Sequence, residues 1–135
     1  MKPYAAVVAC LLALALGAPP AQADPLVDPA PISVPAGVDQ GAVAAAIKQA
    51  LMYRNWAITT QQPGRVDATL YLRGNEARIR LDYDAEHVRI RYVGSHGLEE
   101  GTEDGVAQIH GRYLAWIQYL VGDITTNLQH SPRHG

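Results

Sequence analysis

The hydrophobic pattern along the chain changes from helical spacing to alternation and then back to helical spacing. Residues 39–54 have apolar side chains at helical spacing. This predicts a first helix with Asp39 as its N-cap and Asn55 as a left-handed residue at its C-terminal end. The apolar positions of this helix are Val43, Ala46, Ile47, Ala50 and Leu51. A second helical stripe predicts a last helix over residues 103–128, with Thr102 as its N-cap.

Between these helices, residues 56–93 alternate between apolar and polar side chains, which predicts four antiparallel strands. Residues 73–76 predict a two-residue hairpin turn with Arg73 opposite Glu76. Residues 62–64 predict a three-residue loop that places Ile58 opposite Ala68. For the last strand, charge favours a register in which Arg89 faces an acid, Asp82, rather than another arginine.

The predicted fold class is therefore α+β, with the order α-β-β-β-β-α. The simplest arrangement is a two-layer sandwich, a four-stranded antiparallel meander with both helices on its apolar face. The 135 residues suffice for one domain, which we expect over residues 38–128. Residues 24–37 are rich in proline and predict an extended leader, residues 94–102 predict a polar loop, and residues 129–135 predict a flexible tail.

The first 23 residues have the pattern of a secretory signal peptide. Lys2 precedes an apolar run over residues 5–16, and Ala21-Gln22-Ala23 matches a signal-peptidase site, so we expect cleavage before Asp24 and a periplasmic protein. The run is shorter than the roughly 20 apolar residues that cross a bilayer, and no later segment is long and apolar enough, so no transmembrane segment is expected in the mature protein. Lipid attachment through Cys10 is the less favoured alternative, because most of the apolar residues follow that cysteine.

Charge and cysteine content narrow the classes of function. The mature chain has nine arginines and one lysine against thirteen acidic residues, a net charge of −3 that favours no nucleic-acid partner. Cys10 is the only cysteine and belongs to the signal segment, so we expect no disulfide and no thiolate metal site in the mature protein. The sequence indicates no cofactor.

Three residues at helical spacing, His110, Tyr113 and Trp116, raise the question of a site in the last helix. A helical metal pair requires a second ligand three or four residues after the histidine. Here those positions hold Tyr113 and Leu114, which are poor zinc ligands. Aromatic residues at helical spacing are usually core residues, so we interpret Tyr113 and Trp116 as packing residues and leave the role of His110 open.

The loop over residues 94–102 supplies a candidate polar site of Ser95, His96 and His110. A nucleophile elbow requires Gly-x-Ser-x-Gly between a strand and a helix, and the glycine spacing here does not fit. His96 and His110 could meet across the loop and, with Glu99 or Glu100, hold a metal. Because no metal-site spacing is present, we predict no metal site and favour a flexible polar loop.

The outward face of the predicted sheet is rich in arginine. Its candidate binding residues are Tyr71, Arg73, Arg78, Arg80, Arg89 and Arg91. The planar guanidinium binds carboxylate, phosphate and sulfate groups in a bidentate manner, so this face could bind an anionic ligand. Because Asp67, Glu76 and Asp82 share the face, a ladder of cross-strand ion pairs is the favoured alternative.

The chain resembles a family of small, mostly uncharacterised exported proteins and lipoproteins of Gram-negative bacteria that share an Ile-His-x-x-Tyr-x-x-Trp helix near the C-terminus. The resemblance spans about residues 43–128 and is carried by Ala46-Ile47, Ala50-Leu51, Arg54, Trp56, Pro63-Gly64, Ala68, Arg73, Ala77, Ile79, Tyr83, Ile90, Tyr92, Ser95, Leu98, Ile109-His110, Tyr113, Trp116, Leu120 and Ile124. Family members often have Gly and Asn where this chain has Asn55 and Leu114. The resemblance implies envelope localisation and a two-layer α/β domain, and it implies no known reaction.

These observations favour a non-enzymatic accessory or interaction domain of the periplasm, because the sequence has no nucleophile–base pair, metal spacing or phosphate loop. The expected partner is an envelope protein or an anionic envelope component. One alternative is a binder of lipopolysaccharide or of an acidic partner through the arginine-rich face. Another is a His-based metal or hydrolytic site near His96 and His110.

Overall fold

The computed structural model describes residues 23–134. The predicted signal-peptide core and Cys10 lie outside the described residues. In chain order the elements are β1 (Ala23–Pro25), β2 (Ile32–Ser33), α1 (Gln40–Tyr53), β3 (Ala57–Gln62), β4 (Arg65–Leu72), β5 (Asn75–Tyr83), β6 (His87–His96), β7 (Gly101–Glu103), β8 (Val106–His110) and α2 (Gly111–Gln129).

The described residues form an α+β fold with two antiparallel sheets. The larger sheet has the strand order β2-β6-β5-β4-β3, and the smaller sheet has the order β1-β8-β7. The α+β class is confirmed, and strands β3 to β6 form the predicted meander. The element order is richer than α-β-β-β-β-α, because two leader strands and the β7–β8 hairpin are added to it.

The start of the last helix was predicted wrongly. Residues 101–110 form the β7–β8 hairpin, and α2 begins only at Gly111. Asp104 and Gly105 form the tip of this hairpin with φ angles of 52° and 79°. Asp-Gly is a strong signal for a two-residue hairpin turn, because both residues tolerate the left-handed conformation. Thr102, the predicted N-cap, is therefore a residue of β7.

The β4–β5 hairpin has the predicted faces with a register that differs by two residues. Leu72 lies opposite Asn75, and the turn residues are Arg73 and Gly74, with φ angles of 54° and 82°. A shift of two residues leaves every side chain on its own face, since side chains alternate with a period of two. The predicted pairs Ile58 with Ala68 and Asp82 with Arg89 are confirmed.

The proline-rich leader contributes strands to both sheets. β1 pairs with β8 and β2 pairs with β6, so residues 23–33 add an edge to each sheet. Between these strands, Asp28 Oδ1 accepts a hydrogen bond of 3.0 Å from the backbone N–H of Tyr92. This donor lies next to Val93, the extra residue of a bulge where β6 shifts register against β5. On this edge of β6 the β2 ladder extends only as far as Val88, so the leader reaches the Tyr92 N–H with the Asp28 side chain instead of with its backbone.

One hydrophobic core connects both helices with the inward face of the larger sheet. The predicted stripe of α1 is buried, and Asp39 caps this helix by accepting a 2.8 Å hydrogen bond from the Ala42 N–H. α2 contributes Tyr113, Ile117, Leu120, Ile124 and Leu128 to the same core. At the C-terminus, His134 N–H donates to the Gly37 carbonyl at 2.7 Å, so the tail contacts the residues before α1. Within residues 23–134, neither helix is both long enough and apolar enough to cross a bilayer.

Candidate functional site

An aromatic cleft lies where the end of α1, the start of β3, the end of β4 and the outer side of α2 meet. Its volume is about 370 Å³. It is lined by Arg54, Asn55, Trp56, Leu70, Tyr71, Leu72, Trp116 and Tyr119. Ligand sites in proteins are concave, mostly apolar and aromatic, and contain a few polar groups, and this cleft fits that description.

The floor of the cleft is set by the way α1 ends. Asn55 adopts a φ of 66°, and the next backbone N–H, that of Trp56, donates to the Leu51 carbonyl at 2.9 Å. This left-handed C-terminal residue turns the chain back toward the core. As a result the Trp56 side chain is almost fully buried, at 4% exposure.

One wall of the cleft exists because β4 is longer than its neighbour. The β3–β4 ladder begins at the pair Ala57 and Thr69, whereas β4 continues to Leu72. Tyr71 and Leu72 therefore project beside the cleft with no β3 residue next to them. They are 67% and 40% exposed.

Arg54 forms the polar rim of the cleft. Its guanidinium donates to Asp123 through Nε at 2.6 Å and Nη2 at 3.3 Å, and it lies 5.2 Å from the Tyr53 ring centroid and 4.8 Å from that of Tyr119. The hydrogen bond to Asp123 raises the pKa of Arg54 above its usual value. The Asp123 carboxylate balances the charge of Arg54, and the two tyrosine rings lie close enough to the guanidinium for cation–π contacts.

The arginine-rich outer face is in large part a ladder of ion pairs. Arg80 pairs with Asp67 at 2.8 Å, Arg91 with Asp82 at 3.2 Å, and Arg78 with Glu76 at 3.2 Å. The Asp67 carboxylate also accepts a 2.6 Å hydrogen bond from the Thr60 hydroxyl. Its pKa is lowered, first by the hydrogen bond from Arg80 and then by the one from Thr60.

The other members of this predicted site lie apart from the ladder. Arg73 is a turn residue with positive φ, and Tyr71 lines the aromatic cleft. Among residues 23–134, Arg73 and Arg89 form no ion pair. Arg91 keeps more than half of its side chain exposed. The face therefore contains arginine side chains that form no ion pair within the described chain.

His110 has a structural contact. Its Nδ1 accepts a 2.9 Å hydrogen bond from the Arg112 N–H, which makes His110 the N-cap of α2. Its Nε2 lies 4.0 Å from a Glu99 carboxylate oxygen. The Ser95 hydroxyl instead pairs with the Tyr92 hydroxyl at 2.6 Å, and the exposed His96 lies opposite Glu76 in the sheet. In the described part of the chain, no group of three His, Cys, Asp or Glu side chains is placed to hold a metal.

The aromatic residues of the last helix divide between core and cleft. Tyr113 is 2% exposed and packs edge-on against Tyr92, with ring centroids 5.5 Å apart, and burial raises the pKa of its hydroxyl. Trp116 is half-buried and lines the cleft. We had interpreted both as packing residues, which is right for Tyr113 and incomplete for Trp116.

Sequence reasoning had not grouped the residues of the cleft. Arg54 and Trp56 are named there only as part of the family resemblance, Trp116 is interpreted as a packing residue, and Tyr119 is not considered. One usable signal was present. Tyr119 is a large aromatic residue that lies off the apolar stripe of its helix, and such a position indicates an exposed contact surface.

Comparison of the chain with protein-family models, with curated proteins and with solved structures gave no match.

Proposed function

We propose that this chain is an exported, non-enzymatic accessory or interaction domain of the cell envelope, and that it recognises a protein partner through the aromatic cleft. Export and a periplasmic location are inferred from the N-terminal sequence pattern alone. The observation that carries the proposal is the composition of the cleft, in which Trp116, Tyr119 and Arg54 meet at one accessible surface. Trp, Tyr and Arg are the residue types most enriched where binding energy is concentrated in protein interfaces.

The roles of the polar candidates also support a binding function over a catalytic one. The Ser95 hydroxyl is hydrogen-bonded to the Tyr92 hydroxyl, and Nδ1 of His110 accepts the hydrogen bond that caps α2. A general base must reach the group that it deprotonates, and neither side chain contacts the other within hydrogen-bond distance. Turnover of a peptidoglycan, ester or phosphate substrate by the pure protein, lost in His96→Ala or His110→Ala, would overturn this part of the proposal.

The cleft can be tested by photo-crosslinking in cells. A photoreactive phenylalanine analogue replaces Tyr119 or Tyr71 in the full chain, and replaces the exposed neighbour Gln118 as the control. We expect a defined adduct from the two cleft positions and none from Gln118, and we expect Trp116→Ala to abolish it. Equal adducts from all three positions, or none from the cleft, would contradict the proposal.

A second candidate function is the binding of an anionic ligand such as lipopolysaccharide at the arginine face. Arg89 and Arg91 favour it, since Arg89 forms no ion pair among residues 23–134 and Arg91 is largely exposed. It predicts salt-sensitive binding to lipopolysaccharide that weakens in the double variant Arg89→Ala/Arg91→Ala. The double variant Arg112→Ala/Arg133→Ala removes two exposed arginines outside this face and serves as the charge-matched control. Unchanged binding by the double variant would exclude this function.

A further inference from the structure

We propose that the partner of the aromatic cleft is a second copy of this chain, and that two copies form a symmetric dimer through this surface. This inference rests on the proposed function, because it takes the aromatic cleft as the binding site. It adds the identity of the binding partner. A twofold interface uses the same patch on both copies, so the patch must contain both a projection and a hollow that fit each other.

The structure has this combination around Arg54. Tyr53 and Tyr119 lie against the same guanidinium and are 75% and 53% exposed, so the three residues form a ridge. The aromatic cleft of about 370 Å³ includes Arg54 and Tyr119 in its lining. A second hollow of about 300 Å³ between α1 and α2 includes Tyr53 and Asp123 in its lining. The ridge thus lies between two hollows, and a twofold rotation can place the ridge of each copy into a hollow of the other.

The exposed apolar area is sufficient for such a dimer. Tyr53, Tyr71, Tyr119 and Leu72 are between 40% and 75% exposed. At roughly 200 Å² for a large side chain, they present on the order of 500 Å². A standard protein interface buries about 800 Å² per partner, of which somewhat more than half is apolar, so about 500 Å² is the apolar area that it needs.

The charges of the surface do not oppose self-association. Arg54 is the charged residue in the lining of the aromatic cleft, and Asp123 matches it within one copy. Two copies that meet here bring together neutral ion pairs and aromatic rings rather than unmatched like charges. The contacts of Arg54 with Tyr53 and Tyr119 also keep the ridge ordered before association, which lowers the entropy cost of forming the interface.

Sedimentation equilibrium of the mature chain over a wide concentration range tests the proposal. We expect a reversible transition from monomer to dimer. The double variant Tyr53→Ser/Tyr119→Ser should raise the dimer dissociation constant at least about tenfold, since interface anchors of this type dominate binding. Val106→Ser, which changes an exposed apolar residue in the β7–β8 hairpin, is the matched control and should leave the dissociation constant unchanged. Circular dichroism checks that each variant keeps its fold.

A wild-type protein that remains monomeric at all concentrations would overturn the dimer, as would a dimer that is insensitive to the Tyr53→Ser/Tyr119→Ser variant. The two proposals fail separately. If the protein is monomeric and the Tyr119 crosslink captures a different protein, the dimer is wrong and the cleft remains the binding site. A crosslinked band at twice the mass of one chain, identified as this protein alone, supports both.

Discussion

Replacement of His110 distinguishes a helix cap from a functional histidine. In the wild type, Nδ1 accepts from the Arg112 N–H at 2.9 Å and so satisfies one of the backbone donors at the start of α2. His110→Ala removes this acceptor. We expect a loss of about 1 kcal/mol in the free energy of unfolding, the usual cost of removing an N-cap side chain. For a domain of this size, that corresponds to a decrease of about 4 °C in Tm.

Replacing His110 removes the side-chain hydrogen bond without removing the backbone hydrogen bonds around it. The N–H of His110 donates to the Leu98 carbonyl at 2.8 Å, and the preceding Ile109 pairs with Asp24 in the β1–β8 ladder. Both interactions use backbone groups and persist in any variant. The difference between wild type and variant therefore reports the side chain alone.

The matched variant is His110→Asn, because an asparagine side chain supplies an oxygen acceptor at the same position. We expect it to recover most of the lost stability, as measured by urea denaturation followed by circular dichroism. Glu99→Gln, measured in parallel, should have little effect, since Glu99 is half exposed and lies 4.0 Å from Nε2. If His110→Asn is as unstable as His110→Ala, the capping role is refuted and a site role for His110 regains support.

Three further predictions concern the sheet, the end of α1 and the leader. Because the pKa of Asp67 is lowered in the folded state, its stabilising effect is present at neutral pH and declines as the pH falls below about 4. The stability difference between wild type and Asp67→Asn in urea titrations should therefore shrink at low pH, and a constant difference would contradict this. Asn55→Gly should be neutral or slightly stabilising in thermal unfolding, whereas Asn55→Val should cost on the order of 1–2 kcal/mol, because Asn55 has a φ of 66°. Asp28→Ala should cost roughly 1 kcal/mol and accelerate hydrogen exchange at the Tyr92 amide, with Asp28→Asn as the control that retains an acceptor; equal exchange in both variants would argue against this contact.

The parts of the fold that follow from local pattern could be predicted. The cap and the buried stripe of α1 were correct, since they depend on residues within a few positions of each other. The faces of strands β4 to β6 were also correct, because alternation defines them whatever the register. The two-residue difference in the β4–β5 hairpin arose at the turn, where Arg73-Gly74 and Gly74-Asn75 are both plausible central pairs and only Arg73-Gly74 has both residues left-handed.

The start of α2 could have been predicted and was not. The Asp104-Gly105 turn competes with helix formation, and the acidic residues before it are compatible with either a helix N-terminus or a hairpin. Tertiary contacts decide in favour of the hairpin. Ile109 is fully buried, and β8 pairs with strands on both sides, one of them from the leader. A helix over the same residues would lose those ladders.

By itself, the sequence determined the class of the fold, the ends of α1 and the apolar face of the central strands, because these depend on periodicity and on turn residues close together in the chain. Only the tertiary structure decided that the leader adds strands, since strands of two or three residues have no pattern of their own and form where an existing edge lacks a partner. The aromatic cleft was likewise decided by the tertiary structure. Trp56 and Trp116 lie 60 positions apart, and the cleft between them arises from the packing of α1, β4 and α2, which no local pattern records.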